Sequence, residues 1–457
     1  MTTVLLIYPY FKPPRDRSVF RFPPLGPSYL AAALLEAGHI VHLLDCTFLN
    51  RRDALERALA VKAEVIGIYC MITMREDCLW FAQQLRGQCQ LLVAGGPLPT
   101  CDPVPFLEQF DVVVRGEGED ALRELVAAHA SKADLSSVAG IVYRSSSGLA
   151  GQGAAGIVST ADRPFIKDLD HLPFPARHLL PNADYQRHGQ KRYGYSITTI
   201  MSTRGCPFRC EFCSNVIFGG SYRERSARNV VDEIEQALEL GYDRISFADD
   251  VFTLNKTRVM EICEEIGRRG LHFHWECLGR VDNLDYATAL HMKQAGCTRI
   301  YFGIESGNDQ ILQLMRKQIT TEQARRAVEG AHRAGLQVGA FFILFYPGET
   351  DETVLNTMRF AASLPLDYLG LTLPYPLPGT ALYERIKDWI TREWRPAEIV
   401  FGSHTLIYAS EFSEAKMQFG LLKGQVQFAL QKRLGKIVPL GPCLFEWLTD
   451  AIFRLLR

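Results

Sequence analysis

Neither sign of charge is in excess in this chain: 50 Lys and Arg stand against 51 Asp and Glu, for a formal net charge of −1. No global positive field therefore steers it toward nucleic acid, and no Lys/Arg block longer than a few residues supplies a local one. Long apolar runs are missing too, none reaching the ~20 residues that a membrane helix needs. No basic segment ahead of an apolar core marks a secretory leader, and the opening Met1-Thr-Thr-Val-Leu-Leu-Ile-Tyr8 reads as a strand. With 47% hydrophobic and 22% charged residues over 457 positions, the composition excludes a disordered or fibrous chain and accommodates two or three domains.

Cysteine is plentiful instead, with twelve residues, three of them in Ser202-Thr-Arg-Gly-Cys206-Pro-Phe-Arg-Cys210-Glu-Phe-Cys213. A [4Fe–4S] cube needs a thiolate at each iron, and cysteines this close wrap three corners from one loop, leaving the fourth iron open. A zinc site would need a fourth Cys or His at finger-like spacing, and residues 214–243 hold none. Three unrelated buried thiols are the remaining alternative, and these rarely cluster in a loop bearing Gly and Pro. A cluster implies a reducing compartment, so the other nine cysteines are expected to be reduced core residues in a cytoplasmic protein.

Along the chain, an α/β pattern comes in two blocks. Apolar strands at Val4–Tyr8, Ile40–Leu44, Val65–Tyr69, Leu91–Ala94 and Val112–Val114 alternate with helical stretches, which predicts a doubly wound parallel sheet over residues 1–135. Ligands of such sheets sit at the carboxyl ends of the strands. Three loops there carry Gly and Pro: Phe22-Pro-Pro-Leu-Gly-Pro27, Gly95-Gly96-Pro97 and Arg115-Gly116-Glu117-Gly118-Glu119. Glycine lets backbone approach a large ligand, and it also simply makes tight turns. Residues 136–193 read as a linker with two short strands around a Gly/Ser-rich hairpin tip. Residues 194–395 alternate again, with strands near Ile197–Met201, Arg244–Ala248, His272–Cys277, Arg299–Gly303, Gly339–Leu344 and Tyr368–Leu373, as in a βα barrel. Residues 396–457 form a helical C-terminal segment.

Cys-x3-Cys-x2-Cys with an aromatic, Phe212, before the last cysteine resembles the radical S-adenosylmethionine (SAM) superfamily. The resemblance implies that Cys206, Cys210 and Cys213 hold the cluster and that its open iron chelates the amino and carboxylate groups of SAM. One electron then splits SAM to a 5′-deoxyadenosyl radical. The six βα units are similar to the partial (β/α)6 TIM barrel of those enzymes. The glycine loops, taken in order, resemble the Rossmann-like cobalamin-binding domain of one subfamily, with Gly95, Gly96, Pro97, Gly116, Glu117 and Gly118 flanking the corrin. Residues 9–27 contain no histidine, whereas other cobalamin domains ligate cobalt with one there. The lower face of the cobalt is then five-coordinate, water-bound or shielded. Thr73, within Cys70-Met-Ile-Thr-Met74, is the candidate for lining that face, the alternative being a buried strand end.

Further candidates sit at the ends of the barrel strands. Asp249 and Asp250 offer compact anions for the SAM amino group, and one of them is suited to cap a helix. The resemblance places Glu305, with Ser306 beside it, at the ribose or amino group. Arg280 suits the methionine carboxylate or a surface salt bridge. At Phe345 the superfamily usually carries glycine, so this ring is expected to reshape the substrate or adenine pocket. Tyr375 and Tyr383 fit packing or proton donation. At the C-terminus, Glu446, Asp450, Arg454 and Arg457 share one narrow stripe and leave a broad apolar face. Such a helix lies on a membrane, closes over a greasy substrate or packs on the barrel.

The resemblance implies a cobalamin-dependent radical SAM enzyme that hands a methyl group from methylcobalamin to an unactivated carbon after hydrogen abstraction. Oxidative cyclisation or rearrangement of a tetrapyrrole, lipid or other secondary metabolite is the alternative reaction. A non-catalytic cobalamin or iron–sulfur carrier is the alternative of another class, against which the acidic SAM candidates weigh. Expected partners are a small, apolar substrate, a reducing donor such as flavodoxin or ferredoxin, and a peripheral membrane surface at the C-terminal helix. Nucleic acid is not among them.

Overall fold

The computed structural model describes residues 1–11, 21–145, 156–391, 407–434 and 440–456. Two parallel sheets organise the chain. The first contains β1 (Thr3–Tyr8), β2 (Ile40–Asp45), β3 (Val65–Tyr69), β4 (Leu91–Gly95), β5 (Val112–Val114), β6 (Ile141–Arg144) and β7 (Ile157–Ser159). They lie in the order β2-β1-β3-β4-β5-β6-β7, with β6 and β7 added antiparallel as a hairpin. The parallel strands are covered on both faces, which is why they read as unbroken apolar runs. Helices 25–36 and 119–131 bury Leu34, Leu122 and Leu125 on one face. Helices 51–61 and 75–85 bury Ala54, Phe81 and Leu85 on the other.

The second sheet contains β8 (Ile197–Ile200), which leads into a ribbon of β9 (Thr203–Arg204) and β10 (Arg223–Glu224). It continues through β11 (Arg244–Phe247), β12 (His274–Gly279), β13 (Cys297–Glu305), β14 (Gln337–Ile343) and β15 (Tyr368–Thr372). The order β8-β11-β12-β13-β14-β15 is parallel throughout, and β8 and β15 do not pair with each other, which makes an open, partial barrel. Its crossover helices start at Ser226, Asn255, Asp285, Thr320 and Thr350. Each of these side chains accepts a hydrogen bond from a backbone N–H three residues on, satisfying an otherwise orphaned helix donor.

The expected strands appear within about two residues of their predicted bounds, the largest shifts being β12 and β13, which run past Cys277 and Gly303 to Gly279 and Glu305. Helix Asn182–Tyr193, which the sequence pattern did not signal, joins the two sheets. The Gly/Ser-rich hairpin tip, residues 146–155, lies outside the described residues.

The C-terminal helices Glu414–Leu434 and Leu440–Leu455 pack together and on barrel helix Asp351–Ser363. They do so with the polar stripe inward. Arg359 donates to Glu446 at 2.7 Å and also pairs with Asp450, while Arg454 donates to Glu352 at 2.9 Å. Phe453 is buried against the barrel, whereas Trp447 is 71% and Leu455 80% exposed, together with Leu448 and Ile452. Arg457 lies outside the described residues. Among those residues, no helix is long and apolar enough to cross a membrane.

Candidate functional site

The cysteine loop leaves the second sheet after β8 and is fixed from below by Asp249. This carboxylate is fully buried and accepts from the backbone N–H of Ser202 at 2.6 Å and of Thr203 at 2.9 Å, and from the Ser202 hydroxyl. Burial pushes its pKa up, against the opposing pull of Arg258 and these bonds. Asp249 is therefore a strut of the loop, and its neighbour Asp250 is the exposed member of the pair, with its charge in the field of Cys206 and Cys213. Gly205 turns the chain at φ +83, where any Cβ would fall on the Ser221 carbonyl.

Cys206, Cys210 and Cys213 are brought together on this loop. Desolvation raises the Cys213 thiol, and the charges of Cys210, Asp250 and Cys206 raise it further. A zinc ion would draw its sulfurs to about 2.3 Å from one point, and among the described residues no three Cys, His, Asp or Glu side chains converge in that way.

Around the loop the structure assembles a charged layer that sequence reasoning only half anticipated. Glu305 stands at φ +72, at a register shift between β13 and β14, a strained conformation for a non-glycine residue and one that concentrates at functional sites. Its Oε1 accepts from Lys317 Nζ at 3.0 Å. Lys317 is buried, lies 5.8 Å from the Phe212 ring, and keeps its ammonium above the usual range because Glu305 and then Cys210 outweigh desolvation. The sequence reading missed Lys317, whose only local signal is its place shortly after the Glu305 strand end. Arg280, expected at the methionine carboxylate, is buried and donates both fork nitrogens to Asp282 at 3.0 Å. Its guanidinium lies 3.4 Å from the ring of Phe208, within the cysteine loop. Ser306 is fully buried, pairs with Thr357 at 3.1 Å and accepts from the Asn308 N–H.

Phe345 also takes an unexpected direction. It adopts φ +63, and its buried ring packs against Phe412 and Phe453 at centroid distances of 5.0 and 6.1 Å, close against Gly420. The large side chain serves as a plug for the C-terminal helices.

The second half of the site is a cleft at the carboxyl ends of β3, β4 and β5, with a cavity volume of about 270 Å³. Gly95, Gly96, Pro97, Gly116, Glu117 and Gly118 line it; Thr73 does not, and Cys70 and Met74 are core residues. Gly96, at φ +104, crosses the Cys70 backbone so closely that a Cβ would sit 2.8 Å from its carbonyl oxygen. The opposite wall is Met201, Arg204, Ile217 and Phe218, from the cysteine-bearing half. A mostly apolar cleft floored by bare backbone fits a broad, flat cofactor such as a corrin, and among the described residues no histidine lines it.

Buried ion pairs hold the two halves against each other. Glu117 accepts from Arg204 at 2.9 Å, from Arg223 at 2.8 and 2.9 Å, and from the Ile166 N–H at 2.8 Å. Arg204 donates its other nitrogen to Glu119 at 2.6 Å and lies 5.1 Å from the Tyr29 ring and 5.0 Å from that of Phe218. The Glu117 carboxylate, expected at the corrin, is thus fully engaged as an inter-sheet anchor. Arg204 is two residues from Cys206, so this side chain ties the glycine loop to the start of the cysteine loop.

Comparisons with known proteins agree with this arrangement. Residues 200–361 match the radical SAM superfamily and residues 14–126 the B12 binding domain. An uncharacterized methyltransferase of Pyrococcus horikoshii is 31% identical over 439 residues, 92% of each chain. The anaerobic magnesium-protoporphyrin IX monomethyl ester cyclase of Cereibacter sphaeroides is 28% identical over 85% of this chain and 64% of its own. Among solved structures, the radical SAM methyltransferase TsrM from Kitasatospora setae, with cobalamin and a [4Fe–4S] cluster bound, superposes with a TM-score of 0.70 at 21% identity, over 85% of this chain and 75% of its own. The cobalamin-dependent radical SAM enzyme OxsB with aqua-cobalamin bound gives 0.74 at 17% identity, over 99% and 72%. With both matching domains in one chain and a relative 31% identical over 92% of its length, the chain belongs to the cobalamin-binding radical SAM enzymes, with a [4Fe–4S] cluster, SAM and cobalamin as cofactors.

Proposed function

We propose that this enzyme methylates an unactivated carbon of a small, apolar substrate held between the cysteine loop and the glycine-floored cleft. The observation that supports this reading is that Met201, Arg204, Ile217 and Phe218, which flank the cysteine loop in the chain, line the glycine-floored cleft. When bound, the cluster and SAM supply a 5′-deoxyadenosyl radical, and cobalamin supplies the methyl group.

The residues of the chain have separable tasks in this scheme. Cys206, Cys210 and Cys213 hold three corners of the cluster, and Phe212 walls it. Asp250 and Glu305 accept hydrogen bonds from the amino and ribose groups of SAM, and Lys317 faces its carboxylate. Asp249, Ser306 and Arg280 keep the loop and strand ends in place. Gly95, Gly96, Pro97, Gly116 and Gly118 seat the corrin, and Glu117 anchors its loop. The apolar lining excludes water, which would otherwise quench a radical. A low-potential donor such as flavodoxin or ferredoxin supplies electrons, in the reducing setting of the cytoplasm.

Incubating the anaerobically reconstituted enzyme with SAM, reductant and fractionated cell extract tests the reaction. Methylation yields both S-adenosylhomocysteine and 5′-deoxyadenosine in the productive fraction. 5′-Deoxyadenosine alone would replace methylation with cyclisation or rearrangement, cyclisation being the activity for which the Cereibacter relative is named.

The outward stripe of Trp447, Leu448, Ile452 and Leu455 further supports peripheral contact with a lipid surface. Four side chains on one helix fall short of the roughly 800 Å² per partner that a stable dimer buries. Co-sedimentation with phosphatidylglycerol vesicles, lost in a Trp447→Ser/Leu455→Ser variant, is the expected result; equal sedimentation of both proteins would refute this contact.

A further inference from the structure

Building on the small, apolar substrate inferred above, we propose that the inner face of the open barrel is its chamber, and that Tyr301, Phe341 and Tyr368 select a substrate carrying a neutral, planar aromatic ring. Side chains alternate between the two faces of each strand. On β13, Ile300, Phe302 and Ile304 are fully buried and share a core with Val328 and Ala331 of helix Thr321–Arg333. Tyr301, Gly303 and Glu305 therefore face inward, away from the helices. A closed parallel barrel fills its interior with layers of bulky branched side chains. Here the inward positions include Ala248 just past β11, Gly303, Gly339 on β14 and Gly370 on β15. The interior is left open: Leu278 is 38% and Tyr368 39% exposed, and Tyr301 and Phe341 are half-buried. Exposed apolar side chains gathered in this way mark an interaction site.

Glycines shape the open face. Gly339 lies opposite Tyr301 and Gly370 opposite Phe341 in register, and a Cβ on them would fall 2.4 and 2.5 Å from the respective rings. Each ring therefore lies down over the neighbouring strand. The two rest nearly parallel, 20° apart with centroids at 5.6 Å, and Tyr368 stands edge-on to them at 84° and 70°. A flat wall with an edge-on corner suits a planar ring, which stacks on the first and meets the second edge-to-face. A saturated ring of the same size gains only apolar burial. A cationic guest would meet a like charge, because the Arg299 guanidinium stands 5.7 Å from the Tyr301 ring and donates to its hydroxyl at 3.0 Å. Arg299 is in turn engaged by Glu276 at 3.7 Å and by Gln337 at 2.7 Å, so its charge calls for no anion.

The chamber is continuous with the site around the cysteine loop. Gly303 pairs with Phe341, and a Cβ on it would fall 2.4 Å from Glu305 Oε1 and 3.1 Å from Lys317 Nζ. Phe341 thus stands one strand repeat, roughly 7 Å, from the level of Glu305, a distance that a small molecule stacked on its ring spans.

Equilibrium dialysis of 2-naphthol against the anaerobically reconstituted protein, with cobalamin occupying the other cleft, tests this, decahydro-2-naphthol serving as the saturated control. Saturable binding of 2-naphthol, about tenfold tighter than that of the control, is expected. Phe341→Leu keeps the apolar volume and removes the ring, and should weaken 2-naphthol about tenfold while barely changing the control. Tyr368→Leu, at the more exposed position, should weaken it as well and carries the test if Phe341→Leu does not fold. Dialysis reads binding without turnover, so failure here is separable from failure of methylation, which the product assay above reads. Absence of saturable binding, equal retention of the saturated control, or unchanged affinity in the variants that fold would overturn the proposal.

Discussion

Replacing Arg204 by Met is expected to loosen the joint between the two halves of the active site. The guanidinium is 3% exposed and serves two carboxylates. Glu117 keeps Arg223 and the Ile166 N–H after the change, whereas the ion pair of Glu119 is with Arg204. Stranding one carboxylate of a buried pair costs about 3–5 kcal/mol. Methionine refills most of the volume between Tyr29 and Phe218, so the low end, about 3 kcal/mol, is expected. Chemical denaturation of the cofactor-free protein reads this loss directly. A double-mutant cycle with Glu119→Gln isolates the pair: the amide removes the stranded charge, so the double variant should recover about 1–2 kcal/mol relative to additivity. Cobalamin affinity should fall in parallel, because the Gly116–Gly118 loop loses its brace. A single variant within about 0.5 kcal/mol of the parent, or strict additivity, would refute the claim that this contact joins the halves.

Other consequences are open to measurement. Gly420→Ala drives a methyl into the Phe345 ring and should cost about 1–3 kcal/mol in thermal unfolding; the same change should be nearly neutral in a Phe345→Gly background, which frees the space. Glu349 makes stability pH-dependent: its carboxyl is raised from an ordinary 4.5 to about 8 by burial. The unfolded chain therefore ionises first, and stability falls as pH rises from about 4.5 to about 8, by a few kcal/mol. Denaturation midpoints of Glu349→Gln should lack that component, and a parent curve parallel to the variant's between pH 5 and 8 would contradict it.

Much of the fold was legible because parallel strands buried on both faces announce themselves as short apolar runs, such as Val112–Val114, between amphipathic stretches. The cysteine triad and the glycine loops were legible for a related reason, since their chemistry depends on close sequence spacing. What escaped were pairings between residues far apart in the chain. Nothing near Asp249 reveals that Ser202 and Thr203 consume it, nor does anything near Arg204 point to Glu117 and Glu119. The stacking of Arg280 on Phe208 is likewise settled only in three dimensions. The C-terminal helix was read correctly as amphipathic, yet periodicity does not say which face docks, and here Glu446, Asp450 and Arg454 find buried or bridging partners on the barrel. Phe345 likewise needed its backbone: at φ +63 its ring turns toward Gly420.

Metal and cobalamin analysis of the anaerobically reconstituted protein, alongside a Cys206→Ala/Cys210→Ala/Cys213→Ala variant, tests the two-cofactor arrangement most directly. The parent should carry about four irons per chain and one cobalamin, and the variant should lose the iron while keeping cobalamin in the glycine-floored cleft. Iron retained by the variant, or a parent that binds no cobalamin, would contradict the account.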